Sequence, residues 1–133
     1  MNTIAPKAIP LLVYRNVAEA HDYLVETFGF EAGRIDRSDD GTPMHAEVSI
    51  GGTVVWLHRV TPEYGYVSPA ESQSETAGLC VEVEDARAQY QRCVDVGAEV
   101  KSEPQDQPYG YTEFVAADLD GRRWTFMSPL KKQ

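Results

Sequence analysis

Two imidazoles and two carboxylates carry most of the chemistry this chain could do: His45, Glu47, His58 and Glu113. His45 and Glu47 sit in MHAEVSIGG, where strict alternation puts them with Ser49 on the face opposite Met44, Ala46, Val48 and Ile50. Such a set could hold a metal in an unconventional way, or run general acid/base chemistry with His45 and Glu113 as the catalytic candidates. It could also bind a polar or cationic ligand group, which is the favoured reading, or simply form a solvated strand face. Loop tyrosines Tyr64, Tyr66 and Tyr109 could close over a ligand or staple their loops to the body. Asp118-Leu119-Asp120-Gly121 resembles the start of a calcium loop, but the rest of that pattern is missing and a hairpin turn is the better reading.

These residues are positioned by a module that occurs twice. VYRNVAEAHDYLVETFGF (13–30) and VEVEDARAQYQRCVDVGA (81–98) each read as a short apolar run, a polar cap (Asn16, Asp85), an amphipathic helix and a glycine stop (Gly29, Gly97). The first helix places Val17, Ala20, Leu24 and Phe28 on one face; the second places Ala86, Tyr90, Cys93 and Val94 inward. HAEVSIGGTVVWLH (45–58) and YTEFVAADLDGRRWTFM (111–127) are then two strand pairs joined by glycine turns. Further strands are expected over 9–14, 78–83 and 99–101. The chain therefore reads as one α+β domain over 1–133, with module one at 7–59, a linker at 60–76 rich in Pro, Ser, Glu and Tyr, and module two at 77–128. Each module is βαβββ, and two such units are expected to form a curved mixed sheet around a cup, with helices on its convex face.

At 133 residues the chain is long enough for one core. Its net charge of −9 argues against nucleic acid, since a phosphate backbone needs Lys and Arg to displace its counterions. No apolar run is long enough to cross a bilayer, and the N-terminus does not read as a signal peptide. Cys80 and Cys93 fit no metal or redox spacing, so reduced thiols in a cytoplasmic protein are expected.

IPLLVYRNVAEAHDYLVETFGFE, MHAEVSIGG and YGYTEFVAADLDGRRWTF, in this order, resemble the glyoxalase/bleomycin-resistance/dioxygenase (vicinal oxygen chelate) superfamily over nearly the whole chain. The resemblance implies paired βαβββ modules around a small-molecule site, usually in a homodimer. It covers metal-dependent lyases, isomerases and dioxygenases as well as metal-free proteins that sequester an antibiotic. Metal-dependent members take one ligand from the first and one from the last strand of each module. A fixed step from each helix cap and each hairpin glycine maps those positions onto Ile9, Trp56, Gly78 and Thr125. Ile9, Trp56 and Gly78 cannot ligate through a side chain and Thr125 alone is a poor ligand, so no metal and no other cofactor is expected.

Parity then turns Leu11, Val13, Val54, His58, Cys80, Glu82, Arg123 and Met127 into the cup, with His45, Glu47, Ser49, Tyr111, Glu113 and Val115 from the middle strands. Val55, Leu57, Phe114, Trp124 and Phe126 fall to the helix-facing core. The ligand-binding set expected is Trp56, Tyr111, His45, Glu47, His58, Glu113, Arg123 and Met127. Trp56 and Tyr111 would be aromatic walls. Arg123 could meet an anionic ligand group, although a salt bridge to Glu113 or Glu82 is favoured. The leading expectation is a metal-free small-molecule binder for an aromatic or cationic antibiotic-like compound, with no membrane partner. The alternative is a lyase, isomerase or dioxygenase that uses a displaced metal or metal-free acid/base residues.

Overall fold

The computed structural model describes residues 5–130. Module one is β1 (Leu11–Tyr14), α1 (Val17–Glu26), β2 (Glu31–Arg37), β3 (Pro43–Ile50) and β4 (Thr53–Arg59). A linker follows, containing a 3₁₀ turn (Pro62–Tyr64) and the one-turn helix α2 (Pro69–Ser72). Module two is β5 (Leu79–Glu82), α3 (Ala86–Asp95), β6 (Glu99–Val100), β7 (Gln105–Asp106), β8 (Tyr111–Ala117) and β9 (Arg123–Pro129). Each module builds its own mixed sheet, in the orders β1-β4-β3-β2 and β5-β9-β8-β6, with β7 also paired to β8. In both sheets the first strand runs parallel to the last and the other pairings are antiparallel. The strand equivalent to β2 is split in module two into the two short pieces β6 and β7.

The caps explain why both helices start where they do. The Asn16 side chain accepts from the N–H groups of Ala18 (3.0 Å) and Glu19 (3.1 Å), and Asp85 accepts from Arg87 (3.0 Å) and Ala88 (3.2 Å). Gly29 and Gly97 follow the helices at φ 83° and 78°, a left-handed conformation that glycine adopts without strain. Val17, Ala20, Leu24 and Phe28 are all buried, as their spacing requires. In α3, Ala86 and Cys93 are buried and Tyr90 packs edge-on against Phe114, 5.4 Å between rings. Val94 is the exception to the expected inward set: at 42% exposure it lies past the edge of the arc that Ala86 and Cys93 define. Burial pushes the Cys93 thiol up to about 11; both cysteines are free, and Cys80 is exposed.

The modules share one core. Phe28, at the end of α1, meets Phe126 (5.0 Å) and Trp124 (6.0 Å) edge-on, and Phe30 meets Trp124 at 5.3 Å. Burying a side chain of this size stabilises the fold by about 1.5–3 kcal/mol. Around it, Gln89 donates to the Phe28 carbonyl (2.9 Å), and Arg92 donates to those of Thr27 (3.0 Å) and Glu26 (3.1 Å).

The Asp118–Gly121 segment is a hairpin turn, closed by Gly121 N–H to Asp118 O at 3.0 Å, and it also bolts the modules together. Both aspartates are buried. Asp118 accepts from the Tyr14 hydroxyl (2.5 Å) and the Trp124 indole (2.9 Å); Asp120 accepts from Arg15 N–H (2.8 Å) and the Ser68 hydroxyl of the linker (2.5 Å). Burial raises the Asp118 carboxyl above its ordinary range, against the pull of these donors and of Arg122. The linker is thus tied down by Ser68 and by Glu75, which accepts from Arg123 N–H at 3.1 Å. Among the described residues no helix is long and apolar enough to cross a membrane.

Candidate functional site

The alternation read from the sequence sets the two faces of each sheet. Val55, Leu57, Phe114, Trp124 and Phe126 are 0–3% exposed and lie in the helix-covered core. His45, Glu47, Trp56, His58, Tyr111, Glu113, Thr125 and Met127 all fall on the opposite, outer faces and are half-buried or exposed. The cross-strand register arranges the module-one residues in rows. Leu11, Trp56 and Glu47 form one row, and Val13, His58 and His45 the next. In module two the matching rows are Cys80, Thr125, Val115 and then Glu82, Met127, Glu113.

Trp56 is 40% exposed, and its indole N–H donates to Glu47 Oε1 at 3.0 Å. Glu47 also faces Arg34, Nη1 to Oε1 3.9 Å, while Arg34 Nε bonds Asp36 at 3.1 Å. Glu47 is held close because Gly33 of β2 lies directly against it: a Cβ there would come within 2.4 Å of the Glu47 carbonyl oxygen. A register shift in β2 between Ala32 and Ile35 accompanies this approach.

In the next row the His45 and His58 rings meet edge-on at 4.9 Å, and the linker's Tyr66 packs on His58 at 5.3 Å. A carbonyl can only accept, so His58 Nδ1 carries a proton and donates to Arg59 O (2.6 Å). A guanidinium can only donate, so His45 Nε2 accepts from Arg59 Nη1 across a long 3.4 Å. Burial, then His58 and Arg59, hold the His45 imidazole below its ordinary range, with Asp36 opposing.

On sheet two the Tyr109 hydroxyl donates to Glu113, and this bond raises the tyrosine above its ordinary range. Tyr109 leans toward Tyr111, 6.5 Å between rings. Two of the three loop tyrosines therefore touch candidate site residues, whereas Tyr64 is 72% exposed. Arg123 corrects an expectation: among the described residues it forms no ion pair with Glu82 or Glu113. It opens β9, whereas both glutamates align with Met127 four residues further on, about 13 Å away along the strand.

No hydrogen bond, ion pair or ring-ring contact among the described residues joins the sheet-one set (Trp56, Glu47, His45, His58) to the sheet-two set (Tyr111, Glu113, Met127). A cleft of about 580 Å³ lies elsewhere, between the edges of β1 and β5, lined by Tyr66 and Val67 of the linker and by Arg122. Val13, on an outer face, lines this cleft and is only 7% exposed. Arg34 and Arg59 were missed from the sequence. Arg34 lies in a strand without alternation, and Arg59 ends its strand at a position that parity assigns to the other face.

The donor set at the superfamily's four metal positions does not fit a metal: Ile9 and Gly78 offer no donor, Thr125 is a poor one, and the Trp56 indole N–H is committed to Glu47. Among the described residues no group of three or more His, Cys, Asp or Glu could hold a metal ion.

Two βαβββ modules with a polar, aromatic outer face on each sheet define a vicinal-oxygen-chelate type of protein. The sequence model of the Glyoxalase/Bleomycin resistance protein/Dioxygenase superfamily matches residues 4–126, and the chain belongs to that superfamily. Among curated proteins it is 29% identical to Mb0911c of Mycobacterium bovis, covering 97% of this chain and 87% of that protein. Among solved structures it is similar to TioX from Micromonospora sp. ML1, with 29% identity, TM-score 0.70, and coverage of 95% of this chain and 100% of that one. UcmS2 shares the fold at TM-score 0.73 and 21% identity, with coverage of 94% and 98%.

Proposed function

We propose that this chain is a small-molecule-binding member of its superfamily, which holds an aromatic or cationic antibiotic-like compound against the outer faces of its sheets and sequesters it without a metal. The observation that carries this reading is Trp56. It occupies a superfamily ligand position, stays 40% exposed, and is fixed in orientation by Glu47, which makes it a platform for a planar ring. Tyr111 and Tyr109 supply the counterpart on sheet two, where Glu82 and Glu113 would meet a cationic group. Because one chain leaves the two aromatic sets on separate faces, the reading includes a homodimer in which the outer face of one copy opposes that of the other. A cytoplasmic location fits the two free thiols.

Calorimetric titration against a panel of polycyclic and cationic compounds tests the reading. The expected result is at least one compound bound in the micromolar range; nothing tighter than about millimolar would count against it. The second reading, an enzyme, is favoured by the His45–His58 pair beside Tyr66. One equivalent of Zn, Fe, Mn or Ni per chain after purification without chelator would move the assignment to a metal-dependent lyase, isomerase or dioxygenase.

A further inference from the structure

The hydrogen-bonding capacity of sheet one is unevenly spent. Glu47 is engaged by Trp56 and Arg34, and Asp36 by Arg34. Arg59, by contrast, forms no ion pair among the described residues; its one side-chain contact of this kind is the long approach to His45 Nε2. A guanidinium carries more donors than that contact uses. Beside it, among the described residues, His58 Nε2 and His45 Nδ1 have no hydrogen-bond partner. The chain as a whole is acidic, at −9, yet this corner presents an unpaired cation and two imidazoles next to an exposed indole.

The register makes the corner a unit. Gly51 and Gly52 close the β3–β4 hairpin on the pair Ile50–Thr53, so counting outward places His45 and His58 at a non-hydrogen-bonded pair, the closely spaced kind. Trp56 lies two residues from His58 on the same face, about 7 Å away, roughly the length of a fused bicyclic ring.

We propose that His45, His58 and Arg59 form a receptor for the acidic oxygen group of an aromatic ligand whose ring lies on Trp56. This rests on the ligand-binding reading above and specifies which end of the ligand module one takes. Arg59 supplies the fixed charge, His45 donates from Nδ1, and His58 lies edge-on beside His45 with Nε2 as its remaining polar atom. An acidic oxygen here opposes the burial and the neighbouring His58 and Arg59 that hold the His45 imidazole below its ordinary range, so binding is linked to proton uptake at His45. The groups that face this pair are Arg34 and Asp36 from β2, Glu47 from β3, Arg59 from β4 and Tyr66 from the linker.

The test needs no knowledge of the natural ligand. The chain has two tryptophans, and Trp124 is 1% exposed, so quenching of emission by an added aromatic reports on Trp56. The full-length protein is titrated with 2-naphthoate and with 2-naphthol, which differ in charge and little in ring area. Arg59→Gln and His45→Gln are each expected to weaken naphthoate about fivefold while naphthol changes less than about twofold. Naphthoate affinity is expected to rise as pH falls from about 8 to about 6, with naphthol flat. If both probes bind and the variants weaken them equally, the acid receptor is wrong and the aromatic platform stands. If neither probe quenches Trp56 emission up to millimolar concentration, both readings fail.

Discussion

The two outer faces differ far more than the two inner ones. Facing the helices, module one stacks Ala46 with Leu57 and Val48 with Val55; module two puts Phe114 with Phe126 and Ala116 with Trp124 at the same register positions. All eight are buried and apolar, and only their sizes have been traded. Facing outward, Trp56 corresponds to Thr125, Glu47 to Val115, His58 to Met127 and His45 to Glu113. A repeat whose inner face must fill a shared core keeps its polarity, whereas its outer face is free to diverge. Here it diverges into a cationic, imidazole-bearing end on sheet one and a carboxylate-bearing end on sheet two. A ligand spanning both would be aromatic in the middle and of opposite polarity at its ends.

The largest effect separates inner from outer tryptophan. Trp124→Ala should cost about 3–5 kcal/mol in denaturant unfolding, because it opens a cavity beneath Phe28 and Phe30 and removes one of the donors to the buried Asp118. Trp56→Ala should cost less than about 1 kcal/mol, since it removes an exposed ring. Equal costs would erase the distinction between the faces. Next, Gly33→Ala should destabilise the fold by about 1–3 kcal/mol, because the new methyl meets the Glu47 backbone, which cannot swing aside as a side chain would. An unchanged melting temperature would mean that the close approach of β2 is dispensable.

The third effect is on binding. Trp56→Thr, which gives sheet one the residue of sheet two, should weaken the tightest aromatic compound by about tenfold with little change in stability. The smallest is on pH. His45 in the folded chain lies below the ordinary imidazole range, so between that lowered value and about 6.5 the unfolded chain binds more protons there and stability rises with pH. His45→Asn should remove a shallow part of that slope, read from unfolding curves between pH 5 and 7.

Much of this was legible in the sequence, and the reason is periodicity. Met44 to Ile50 alternates without a break, so its faces could be assigned, and the Asn16 and Asp85 caps fixed both helix starts. Strand β2 was not legible because its shifted register at Gly33 destroys the alternation that would reveal it. The turn at Asp118–Gly121 was readable as a turn, but its second task was not. Tyr14 lies 104 residues from Asp118, and no local pattern announces a bond of that separation. For the same reason the site residues could be named while their partnerships could not: Trp56 with Glu47, Tyr109 with Glu113, and Arg59 with the imidazole pair depend on side-chain reach, which parity does not encode.

The most direct test of the central claim is a crystal structure of the chain with the tightest compound from the calorimetric panel. Density for its ring is expected against the Trp56 indole on the outer face of sheet one, with a polar end near His58 and Arg59. Density confined to the cleft between β1 and β5, with Trp56 bare, would contradict it.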